Sequence, residues 1–122
     1  MANAVARIPL SGSTQGRGIL IAAIATPGTT LHTTGITTTD LDLPWIYFTN
    51  SDTTARKVTV EWGGVTVPND TIELTIPAEG GLTLTIPGLL LTGTGAAGNV
   101  IRAFCATTNV VTAFGYVDRV TP

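Results

Sequence analysis

Three runs decide the fold: Lys57-Val58-Thr59-Val60-Glu61-Trp62, Thr71-Ile72-Glu73-Leu74-Thr75-Ile76 and Leu82-Thr83-Leu84-Thr85-Ile86. In each, apolar and polar residues alternate. Successive side chains on a strand point to opposite faces, so each run reads as a strand with one buried face. The other face is mostly threonine. The pattern predicts that Val58, Val60, Trp62, Ile72, Leu74, Leu82, Leu84 and Ile86 meet in a common core, joined by Ile46 and Phe48.

Working outward, further strand-like runs fall at 18–25, 29–34, 45–50, 100–106 and 110–119, with the three runs extending over 55–62, 71–76 and 82–87. Turn residues separate them: Pro27-Gly28, Asn50-Ser51-Asp52, Pro68-Asn69-Asp70, Glu79-Gly80-Gly81, Gly93 to Asn99, and Thr108-Asn109. Asn50 to Thr54 reads as a short hairpin connection, and Thr33 to Leu43 as a longer polar one. No segment keeps helical spacing over ten residues. About eight short strands between turns predict an all-β, single-domain antiparallel β-sandwich or jelly roll. Residues 1–17 form an N-terminal arm and loop ahead of a sandwich at 18–122. Within the arm, Ala2 to Leu10 reads as extended or as an edge strand, with Pro9 limiting its pairing.

At 122 residues the chain is long enough to bury a core without disulfides or metals. Charged residues are 11%, well under the roughly 25% of an average soluble domain. Mean hydropathy is +0.38, yet no stretch approaches the roughly 18 apolar residues that span a bilayer. Charge keeps protein surfaces apart, so a surface this poor in charge points to one covered by other protein chains. The six basic residues are scattered, which leaves no electrostatic footprint for nucleic acid. Ala23-Ile24-Ala25 imitates a signal-peptidase site, but the apolar run before it is short and follows a polar, glycine-containing approach. It reads as a strand, which predicts a protein made and assembled in a cytoplasm.

Residues that could carry chemistry are few. Gly93-Thr94-Gly95-Ala96-Ala97-Gly98 matches the dinucleotide fingerprint, but a β-like run follows where the chemistry needs a helix. It is read as a loop. His32 is the only histidine. As a base it would need an orienting acid and a nucleophile; the sequence leaves Asp40 and Asp42 open as that acid but supports neither, and His32 is read as structural. Asp40-Leu41-Asp42, Asn50/Asp52 and Asn69/Asp70 could offer oxygens to calcium, but turn chemistry explains them better. Cys105, alone in an apolar strand, reads as a small buried hydrophobe. The sequence thus predicts no catalytic residue, no metal site and no cofactor.

The aromatics suggest contact instead. Trp45 and Tyr47 share one face of their strand, and Ile46 and Phe48 the other. If the second pair is core, the first pair is an interface or a sugar platform, the interface being favoured by the low charge. Arg7, Ile8 and Leu10 in the arm have little local sequence to bury them, which predicts a partner chain as their anchor.

Three segments carry a resemblance: Asn50-Ser51-Asp52-Thr53-Thr54-Ala55-Arg56-Lys57-Val58-Thr59-Val60-Glu61-Trp62-Gly63-Gly64, then Thr75-Ile76-Pro77-Ala78, and the ending Val100-Ile101-Arg102-Ala103-Phe104 with Asn109 to Val120. Together they resemble small all-β virion proteins of tailed bacteriophages, in particular those that decorate or cement the capsid. The resemblance implies a β-sandwich or jelly-roll subunit, commonly an oligomer, bound to major capsid protein or other virion proteins. It carries no functional residues. The expectation is a non-enzymatic virion structural protein assembled in the host cytoplasm, with no nucleic-acid or membrane partner. A tail, neck or fibre-associated subunit and a carbohydrate-binding module are the alternatives.

Overall fold

The computed structural model describes residues 3–122, so Met1 and Ala2 of the arm lie outside the described residues. Nine strands and no helix are found among them: β1 Ala4–Pro9, β2 Ile19–Leu20, β3 Thr29–Thr33, β4 Leu41–Asn50, β5 Arg56–Trp62, β6 Thr71–Ile76, β7 Thr83–Pro87, β8 Val100–Cys105 and β9 Val111–Thr121. They form two antiparallel sheets. One has the order β1-β9-β4-β7, with the short β2 also on β9; the other has the order β3-β8-β5-β6. The pairs β1·β9, β3·β8, β4·β7 and β5·β6 are nested along the chain and rolled over one another, which is jelly-roll connectivity.

The two sheets close on a core of Leu10, Ile21, Leu31, Ile46, Phe48, Val58, Val60, Ile76, Ile86, Ile101 and Val117, all at most 1% exposed. Trp62, Ile72 and Leu74 pack against it, half-buried. The alternation in β4 to β6 is therefore the inward face that the sequence predicts. At Gly115 the β9 backbone runs so close to the carbonyl of Trp45 that any Cβ would overlap it.

Five expectations are corrected. Leu82 and Leu84 face solvent, 59% and 44% exposed. A β-bulge is the cause: Ile46 lies opposite Ile86, but Tyr47 lies opposite Leu84, so the extra residue Thr85 turns Leu84 to the outer face. Asn50 to Thr54 is not a hairpin, because it carries the chain from β4 in one sheet to β5 in the other. Asn50 is buried there, its amide donating to the carbonyls of Thr54 and Ile76 and its Oδ1 accepting from Asp52 N–H. The polar connection after β3 ends early, since β4 begins at Leu41. The run at 18–25 pairs as a strand only at Ile19–Leu20. Beyond it the chain crosses between the sheets, through Ile21 N–H to Val111 and Cys105 N–H to Ala23.

The arm supplies the fifth correction. Ala4 to Pro9 is edge strand β1, in continuous register with Thr121 to Tyr116 of β9. Leu10 is 1% exposed and plugs the core, and Ile8 packs against it. Their own chain buries them, because β1 inserts at the open edge of β9; no partner is needed as their anchor.

Candidate functional site

The two outer faces differ in chemistry. On the four-stranded sheet the outward residues of β5, β6 and β8 are Lys57, Thr59, Glu61, Thr71, Glu73, Thr75, Arg102 and Phe104, a polar face. Lys57 pairs with Glu73 there, and a shallow depression of about 140 Å³ lies among Lys57, Thr59, Phe104 and Ala106. Glu61 is roofed over by the chain before β3: it accepts from Thr26 Oγ1 and Gly28 N–H, both at 2.6 Å.

The outer face of the five-stranded sheet is apolar. Its register places Leu43, Trp45 and Tyr47 of β4 beside Asp118, Tyr116 and Phe114 of β9. Leu84 extends it on β7, and Val5 and Leu20, 68% and 48% exposed, extend it on β1 and β2. Trp45 and Tyr116 stack with ring centroids 6.3 Å apart and planes 20° apart. The Arg7 guanidinium lies 4.4 Å from the Tyr116 ring centroid, a cation–π contact. Its Nε donates to Asp118 Oδ1 at 2.9 Å, which holds that carboxyl below its usual range. Of the expected interface residues, the structure thus brings Arg7, Trp45 and Tyr47 to one face, while Ile8 and Leu10 turn inward.

His32 is a buried structural histidine, as its sequence reading has it, whereas Asp42 lies inside β4 rather than in a turn. A bulge between Thr30 and His32 sends both Leu31 and His32 inward. His32 Nε2 lies 2.7 Å from Asp42 Oδ2. Its Nδ1 accepts the backbone N–H of Ser11 at 3.0 Å, which fixes the neutral Nε2–H tautomer. Asp42 also takes a bidentate pair from Arg119, Nε to Oδ1 at 2.7 Å and Nη2 to Oδ2 at 2.8 Å. Burial alone would raise the Asp42 carboxyl, but its bonds to Arg119 and His32 win and hold it below the usual range. Burial likewise lowers the His32 imidazole, outweighing the pull of Asp42.

This His–Asp pair has the residues of a general base but not the access. Both side chains are 0% exposed and both ring nitrogens are occupied. The hydroxyl of Ser11, whose backbone N–H meets the ring, accepts Thr33 N–H at 2.7 Å. The arrangement joins β3 of one sheet to β4 and β9 of the other, and it is a polar staple. The sequence held one signal for it. Read backwards at period two from Phe48, the inward face of β4 continues through Ile46 and Pro44 to Asp42.

The remaining motifs fall where they are expected. Gly93 to Gly98 is a loop tied to the chain after β3 by Gly93 N–H to Thr37 and Gly95 N–H to Ile36, with β8 rather than a helix after it. Cys105 is a buried free thiol. Among the described residues no group of three or more His, Cys, Asp or Glu is placed to hold a metal ion, and no helix is long and apolar enough to cross a membrane. Comparison with protein-family models, with curated proteins and with solved structures finds no match to this chain.

Proposed function

We propose that this chain is a non-enzymatic structural subunit of a bacteriophage virion, a capsid decoration or cement protein that binds neighbouring capsid subunits and holds them together. The observation that carries the reading is the apolar outer face of the five-stranded sheet. An antiparallel sandwich normally turns polar residues outward. Here Trp45, Tyr47, Phe114, Leu43 and Leu84 occupy that face, with the mutually paired Arg7 and Asp118 as its charges. Leu43, Trp45, Tyr47 and Phe114 are half-buried and Leu84 is exposed; apolar surface left partly open in one patch marks contact with another macromolecule. The jelly roll adds support by analogy only, since capsid proteins and lectins both use it. Bound to particles, each copy would stabilise the assembled state by mass action, as a subunit that also associates with itself.

A sugar platform on Trp45 and Tyr47 is the second reading; against it, Trp45 already stacks with Tyr116, over whose ring Arg7 also lies. The test is to replace Tyr47 and Leu84 with Glu and measure binding to capsids assembled without this protein. Loss of binding by a folded double variant supports the reading. Undiminished binding removes this face from it.

A further inference from the structure

One edge of the sandwich is closed by a strap rather than a strand. β3 is an edge of its sheet, and an open edge is a template for unwanted pairing. Ser11 to Ser13 runs along it. Gly12 N–H donates to the Leu31 carbonyl at 2.9 Å, Thr33 N–H to Ser11 Oγ at 2.7 Å, and Ser11 N–H to His32 Nδ1 at 3.0 Å. The approach is close enough to require glycine: a Cβ on residue 12 would sit 2.6 and 2.7 Å from the carbonyl oxygens of Thr30 and Leu31. Of the three bonds, only the one to His32 uses a lone pair that a proton takes near neutral pH.

We infer that His32 is an acid-released latch: when a solvent proton occupies Nδ1, the Ser11 N–H loses its acceptor and the strap leaves β3, while the two sheets stay paired. The ring nitrogen has one lone pair, so the proton and the bond to Ser11 exclude each other. A protonated Nδ1–H would then point at the Ser11 N–H, donor against donor.

The charges facing His32 are Asp42 from β4 and Arg119 from β9; Asp40, before β4, acts on Arg119. Asp42 favours a charged imidazole and Arg119 opposes it. Because Asp42 is already matched by the bidentate guanidinium, burial decides the balance, and the latch opens below the ordinary histidine range. Leu10, the buried residue before the strap, stays in the core, so release is confined to the polar segment after it. The inference stands apart from the virion reading.

The experiment is NMR on the intact chain from about pH 7.5 to about pH 4.5, a window that spans the histidine range. The imidazole nitrogens report the tautomer and its titration. Amide protection, corrected for intrinsic exchange, reports the strap. The expected result is an Nε2–H tautomer at neutral pH whose titration coincides with a loss of protection at Ser11, Gly12 and Thr33. That loss should be about tenfold per pH unit between the ordinary histidine value of about 6.5 and the observed transition, levelling off below it, with the amides between β4 and β9 still protected. A His32 that titrates while the strap stays protected would overturn it. So would a strap that opens independently of the imidazole, or the two sheets opening together with it.

Discussion

Asp42 Oδ2 takes a hydrogen bond from His32 Nε2 at 2.7 Å across the two sheets, while the guanidinium of Arg119 grips both oxygens of the same carboxylate. The first prediction follows from that geometry. Asp42→Ala leaves a buried imidazole N–H and a part-buried cation unpartnered. Breaking such a pair costs about 3–5 kcal/mol, so the midpoint of chemical denaturation should fall with little change in slope. Asp42→Asn keeps an acceptor for His32 and should cost less. Equal losses for the two would mean that the carboxylate's hydrogen bonds contribute nothing specific.

Stability should fall as the solution is acidified, in two stages. His32 has a lower pKa folded than unfolded because it is buried. Below the unfolded histidine value of about 6.5 the unfolded chain binds more protons, so folding weakens until the folded imidazole is itself protonated. Asp42 is likewise held low by Arg119 and His32, so its contribution is present at neutral pH. That contribution drains away below the ordinary aspartate value of about 3.9. Urea denaturation across pH measures both stages. In His32→Gln the first stage should be missing and the second retained.

The bulge in β7 sets a third prediction. Ile86 is 1% exposed and Leu84 is 44% exposed. Ile86→Ala should therefore cost about 2–5 kcal/mol, and Leu84→Ala about 0.5–1 kcal/mol, near the range of surface substitutions. Unbroken alternation would make the two costs equal. Paired unfolding curves of the single variants distinguish the arrangements.

What the sequence makes legible is whatever has a period. Val58, Val60, Ile72, Leu74 and Ile76 follow period two and face the core. Thr85 does not announce itself, since a bulge inserts one residue that carries no special side chain, and every position before it changes face. The same blindness hides His32, which a second bulge brings inward beside Leu31. Asp42 was legible in principle, but its charge marks it as loop until Arg119 is placed beside it, and that contact joins residues 77 positions apart. The outer aromatic face is half legible: Trp45 and Tyr47 alternate visibly with Ile46 and Phe48. Their neighbours Phe114 and Tyr116 come from a strand whose pairing only the fold supplies.

The arm gives the last prediction, a contrast within one strand. Arg7 reaches Asp118 and Tyr116 across an exposed face, and exposed ion pairs contribute little. Leu10, immediately after β1, is 1% exposed within the core of its own chain. Leu10→Ala should therefore lower stability by about 2–5 kcal/mol in the isolated protein, whereas Arg7→Ala should leave the thermal midpoint nearly unchanged. A partner chain that anchored the arm would reverse this: Leu10→Ala would be harmless in isolation and costly only in the assembly. Thermal unfolding of the isolated variants, repeated with particles present, separates the two. Loss of stability by Leu10→Ala without particles is the outcome that intramolecular anchoring requires.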